Sequence, residues 1–163
     1  MPIEPPPPGR RPSRSLIPWV PPTGGGTELV AAGVWWDAVR VRVGLGQLAL
    51  EHLGTQVGAV LRDPCDQRLY FLTRPQATVG WRFGCHASEV QTLSTATWIA
   101  VPPRERTRAR GPHWLIPTDD GEGRLLTPPL ALHAAVHAAL TEALGPRREP
   151  AGEPSPPRPD AET

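Results

Sequence analysis

Proline placement constrains this chain more than any other feature. Of its 23 prolines, nine lie in residues 1–24 and six in residues 146–163, which leaves eight for the 121 residues between. Proline fixes φ and lacks an N–H donor, so proline-dense stretches cannot sustain helix or sheet ladders. The sequence therefore predicts one globular domain over residues 25–145, flanked by disordered Pro-rich tails at 1–24 and 146–163. A total of 163 residues excludes two full-sized domains. The absence of a Gly-X-Y period excludes a collagen-like chain.

The N-terminal tail is biased toward extended polyproline II geometry. Its main reading is a solvated tail. The sharper reading is a docking ligand for a protein partner, anchored by Trp19 within Pro18-Trp19-Val20-Pro21.

All 17 basic residues are arginine, and lysine and asparagine are absent. Both missing residues have codons rich in A and T. The arginine count therefore reflects coding bias before it reflects phosphate binding. The formal net charge is only +1, so no global field draws the chain to nucleic acid or to a membrane. No run approaches the roughly 20 apolar residues of a membrane helix. The first residues carry no apolar signal region. With only Cys65 and Cys85, a disulfide scaffold is excluded. These features lead to the expectation of a cytoplasmic protein with reduced thiols.

Between the tails, VWWDAVRVRV (34–43) reads as a strand, with Trp36, Ala38, Arg40 and Arg42 on one face. A short helix over 45–53 follows, stopped by Gly54. Residues 57–63 and 68–74 form a hairpin across Pro64-Cys65-Asp66-Gln67. Apolar residues on both of its faces place these strands inside a sheet. Segment 75–94 resists assignment beyond Trp81 and Phe83 covering the core. TATWIAV (95–101) and HWLIP (113–117) read as strands forming a long-looped pair. A helix runs from the Thr127 N-cap to Leu144, with Leu132, Val136, Leu140 and Leu144 as its apolar stripe. The fold class is thus α+β: a mostly antiparallel sheet of about five strands, with two main helices on one side.

Chemistry-bearing residues are sparse. Arg104, Arg106, Arg108 and Arg110 alternate in PPRERTRARGP, opposed only by Glu105. In an extended loop they would track a phosphate backbone, and Trp98 and Trp114 on either side would offer stacking faces. The competing reading is a solvated loop in an arginine-biased protein. His133 and His137 stand one helical turn apart, but no Glu follows His133. The zinc-protease pattern is therefore missing, and a structural role on the helix border is favoured. Cys65, Cys85 and His86 lack Cys-x-x-Cys spacing, so no metal site is expected. Two-metal chemistry needs grouped carboxylates. The domain offers Asp37, Asp63, Asp66 and Asp119-Asp120, with no Asp-x-Asp on a strand. Neither a Gly-x-Ser-x-Gly elbow nor a lysine-bearing phosphate loop is present.

The succession WWDAVRV, GLGQLALEHLG, VGAVLRD, RLYFLTR, TWIAVPP, GPHWLIP and LLTPPLALHAAVHAAL, over about residues 28–144, resembles small proteins of high-GC bacteria labelled bifunctional DNA primase/polymerase-like. That label derives from the archaeo-eukaryotic primase-polymerase superfamily. The resemblance implies nucleotide and two divalent metals bound by a strand-borne pair of aspartates, a His and a later Asp. Only Asp37 matches the first carboxylate, and Val39 stands where the second would be. The expectation is therefore a degenerate, non-catalytic relative: an accessory or regulatory binding protein contacting nucleic acid through Arg104, Arg106, Arg108 and Arg110, without a cofactor. One alternative is an active nucleotidyltransferase using magnesium or manganese, with Asp37 joined by Asp63 or Asp119. The other is a protein-interaction adaptor using the Pro-rich tails, linked to a mobile element.

Overall fold

The computed structural model describes residues 19–118 and 125–145. The proline-dense segments 1–18 and 146–163, and Asp119-Asp120, lie outside the described residues. In chain order the elements are β1 (Glu28–Ala31), β2 (Asp37–Arg42), α1 (Val43–Leu53), β3 (Val60–Asp63), β4 (Arg68–Thr73), β5 (Val90–Leu93), β6 (Trp98–Val101), β7 (His113–Ile116) and α2 (Pro129–Leu144). Five strands form an antiparallel sheet in the order β5-β2-β4-β3-β7, and β1 and β6 form a separate two-stranded ribbon. The α+β class holds, with the ribbon as a third layer.

β2 and β3 both pair antiparallel with β4, so they run parallel to each other and are joined through α1. This is a split βαβ unit with the β3–β4 hairpin folded into it. Alternation along β2 divides the core. Val39 and Val41 join Leu69, Phe71 and Val60 beneath both helices, packing on Leu45, Ala49, Leu132, Val136 and Leu140. Ala38, Leu72, Leu61 and Leu93 point to the opposite face, where Ile99 and Val101 of the ribbon cover them. Each aliphatic side chain fully buried in this way contributes about 1.5–3 kcal/mol.

Two glycines permit close approach. A Cβ on Gly46 would lie 2.6 Å from Leu69 Cδ1, so its absence lets α1 settle onto β4. A Cβ on Gly58 would lie 2.7 Å from the Leu125 carbonyl oxygen. Here two backbones meet: Ala59 N–H donates to Leu125 O at 2.9 Å, and Gly58 N–H donates to Thr127 Oγ1 at 2.9 Å.

The structure corrects several sequence expectations. β6 and β7 do not pair with each other: β6 pairs with β1 and β7 with β3. Glu28–Ala31 and Val90–Leu93 are short strands whose partners are remote in sequence. β2 starts at Asp37, after the turn at Gly33. Thr127 is not the N-cap of α2. Pro128 holds that position, and Thr127 instead joins the sheet, its carbonyl accepting from Thr73 Oγ1 at 2.8 Å. Leu144 is exposed and leaves the stripe. Trp19 to Gly24, expected in the tail, lie against the domain. Trp19 packs edge-on against Trp36 with 5.6 Å between ring centroids, and Arg104 N–H donates to Pro22 O at 2.9 Å. Among the described residues no helix is long and apolar enough to cross a membrane.

Candidate functional site

The face of the five-stranded sheet turned away from the helices is only partly covered by the ribbon. Beyond Ala38 and Leu72, the cross-strand row Gln91, Arg40, Tyr70 and Leu61 runs over β5, β2, β4 and β3. Arg42, Arg68 and Asp63 form the next row. Where the ribbon ends, a cleft of about 380 Å³ opens, lined by Arg40, Arg62, Tyr70, Gln91 and Trp98 among others. That volume lies within the range of small-ligand sites, about 300–1,000 Å³.

Arg40 is contacted from two sides in this cleft. One guanidinium nitrogen pairs with Asp66 of the β3–β4 turn, and the other donates to Gln91 Oε1 at 3.2 Å. The guanidinium lies 5.9 Å from the centroid of the Tyr70 ring. An arginine in this position gains cation–π attraction while keeping its fork orientation. The buried Nε–H groups of Arg40, Arg62 and Arg68 have no partner among the described residues. Burial raises the Tyr70 hydroxyl above its ordinary value against the opposing pull of Arg40 and Arg68, and Asp63 adds to the rise. Trp98 lines the cleft and is 65% exposed.

The basic loop borders the same cleft through Pro112. It is pinned at several points. Trp114 N–H donates to Arg106 O at 2.8 Å, Arg106 Nη1 donates to Thr27 Oγ1 at 3.0 Å, and Glu105 Oε1 accepts from Gly24 N–H at 2.8 Å. Hydrogen bonds from its own and the Gly24 backbone N–H hold the Glu105 carboxyl below its ordinary value. The Cys65 thiol contacts Arg110 O at 3.5 Å and ties the loop to the β3–β4 turn. Arg104 and Arg106 are half-buried in this framework, whereas Arg108 and Arg110 are exposed. Trp114 contradicts its expected stacking role. It is fully buried, and its indole N–H donates to Pro102 O at 3.2 Å. Of the two flanking tryptophans, only Trp98 presents surface.

Asp37, the candidate first carboxylate, is completely buried. Its Oδ2 accepts from Thr78 N–H at 3.2 Å and Thr78 Oγ1 at 2.8 Å, and its Oδ1 accepts from Ser94 Oγ at 2.9 Å. It acts as a tether for the two loops beside β2. Asp63, its proposed metal partner, is at the far end of the sheet. Asp37 pairs with Thr73 and Asp63 with Arg68, five positions along β4, which separates them by at least about 16 Å. Asp63 Oδ1 accepts from the N–H groups of Cys65 and Asp66 and so serves the hairpin turn. Among the described residues no three His, Cys, Asp or Glu side chains are grouped to hold a metal ion.

His133 and His137 do come together, with ring centroids 4.5 Å apart. They belong to an aromatic stack in which Trp81 lies 4.7 Å from His133 and Phe83 5.1 Å from His137. Burial, and then the neighbouring His137, lower the His133 pKa. The pair fastens Trp81 and Phe83 to α2.

The sequence-derived site set missed Arg40, Tyr70 and Gln91. The usable signal was the strict alternation of Val39 to Val43, which puts Arg40 and Arg42 on the same face as the core residue Ala38. No family model, curated protein or solved structure matches the chain.

Proposed function

We propose that this chain is a non-catalytic nucleic-acid-binding domain of the primase-polymerase-like kind, acting as an accessory or regulatory protein. The observation that carries this reading is a cleft lined by Arg40, Tyr70 and Trp98, which the loop bearing the exposed Arg108 and Arg110 borders through Pro112. Guanidinium groups contact phosphates by displacing counterions, and exposed aromatic faces stack on bases without sequence preference. The geometry favours single strands, because bases are accessible to Trp98 and Tyr70 only when unpaired. A net charge of +1 fits modest, salt-sensitive affinity rather than tight clamping of a duplex.

The metal-dependent alternative has weaker support. Asp37 already spends both carboxylate oxygens on Thr78 and Ser94, and Asp63 lies at the other end of the sheet. Salt-titrated binding of single- and double-stranded DNA, with the wild type and with Arg108→Gln/Arg110→Gln, tests the reading. Absence of binding to either form at low salt contradicts it.

A further inference from the structure

We infer that the loop cluster beyond the Asp37–Thr73 end of the five-stranded sheet is a docking face for a second copy of this chain. This face is separate from the cleft, and its use does not depend on nucleic-acid binding. Arg40, Tyr70 and Gln91 lie toward the other end of β2 and take no part in it.

Three turns meet there. At the first, Gly33 N–H donates to Trp36 O at 2.7 Å, and Trp36 is buried, so Val34 and Trp35 between them form an exposed tip. At the second, Thr78 is drawn inward to Asp37, and the next residue, Val79, is exposed. The third is closed by Thr97 N–H donating to Ser94 O at 3.2 Å. Gln76 ties them together: its side-chain amide donates to Gly33 O at 3.2 Å and to Thr95 Oγ1 at 3.1 Å. These bonds exist without any partner, which lowers the ordering entropy lost on docking.

The surface they present is large, apolar at its tips and uncharged. Val34, Trp35 and Val79 are 60%, 44% and 67% exposed. The segments AGVWW (32–36), PQATVG (75–80) and STAT (94–97) contain no charged side chain, in a chain that is 20% charged. Together these turns expose roughly 500 Å², the size of the largest patches on single chains, which commonly mark interaction sites. A two-fold contact doubles this to about 1,000 Å², the lower limit for specific association.

The missing charge selects the occupant. A two-fold contact sets one patch against its own copy, so any charge within it would meet a like charge. Interfaces between identical chains are the ones with apolar centres, depleted of charge and enriched in aromatic residues such as Trp35. An anionic lipid surface calls for a cluster of basic residues around the apolar tips, and these turns are joined by Arg74 alone.

The test is sedimentation velocity of the full chain from micromolar to millimolar concentration. The mass should rise from that of one chain toward that of two, as expected for weak, reversible pairing through a contact of this size. Trp35→Ser/Val79→Ser should weaken the pairing by about tenfold or more, because a tryptophan at the centre of an interface carries a large share of the affinity. Val79→Asp alone, which sets two carboxylates in an apolar contact, should do the same. Both positions are exposed, so the thermal melt of each variant at micromolar concentration should match the wild type. Leu144→Ser, exposed at the C-terminal end of α2, should leave the pairing unchanged. A single-chain mass at every concentration overturns the inference, as does a dimer that both variants leave intact. A single-chain mass combined with binding to phosphatidylcholine–phosphatidylserine vesicles that Trp35→Ser/Val79→Ser abolishes also overturns it, and assigns the face to a lipid surface.

Discussion

Asp37 and Thr78 are joined twice: one carboxylate oxygen accepts both the backbone N–H and the hydroxyl of the threonine, at 3.2 and 2.8 Å. Both residues are buried. Removing the acceptor strands donors away from water. Asp37→Ala should therefore lower stability by about 3 kcal/mol in chemical denaturation, with a smaller loss for Asp37→Asn. Unchanged stability in Asp37→Ala would return this carboxylate to the list of residues free for chemistry.

Gly58 meets the 125–127 segment backbone to backbone. An added methyl faces carbonyl and peptide atoms at 2.7 Å that cannot rotate away. Gly58→Ala should cost about 1–3 kcal/mol by overpacking. Gly46→Ala should be milder, because the crowding atom there is the end of the Leu69 side chain. Equal losses in the two variants would contradict this account of the contacts.

The Trp19–Trp36 contact makes Trp19 part of the fold. Trp19→Ala should lower the free energy of unfolding by about 2 kcal/mol, combining lost burial with a lost edge-to-face pair. If Trp19 serves only as a partner anchor, the melting temperature of the isolated protein will not move.

His133 supplies a pH dependence. Burial and His137 disfavour its charged form in the native state. Its folded pKa therefore lies below the unfolded one, and between those two values the unfolded chain binds more protons. Its contribution to stability is complete above about pH 6.5. It falls as pH drops toward the folded pKa and levels off below it. Denaturant midpoints measured from pH 7.5 to 5 should show this decline, and His133→Phe should flatten it. A decline of the same size in His133→Phe would assign the effect to other groups.

The β3–β4 hairpin was legible because its turn chemistry is local and its strands carry apolar residues on both faces, the mark of interior position. α2 was legible from its i+4 stripe. β1, β5 and the pairing of β6 with β1 were not. Each of these strands is four residues long, and their register depends on partners far along the chain, such as Leu29 opposite Ala100. The cleft was hidden for the same reason. Arg40 meets Gln91 across 51 residues and Asp66 across 26. Alternation in β2 reveals the face that Arg40 occupies and says nothing of what shares that face. Trp114 shows the limit of proximity in sequence. Next to a basic loop it reads as a stacking residue, yet the chain turns its indole inward to meet the Pro102 carbonyl.

The salt dependence of single-stranded DNA binding reports on the phosphate contacts of Arg108 and Arg110. Each phosphate contact contributes about 0.7 to the slope of log K against log salt for single strands. Measurable binding at low salt is expected, with a slope that becomes shallower by about 1.4 in Arg108→Gln/Arg110→Gln. A slope identical in the wild type and the double variant would contradict those contacts.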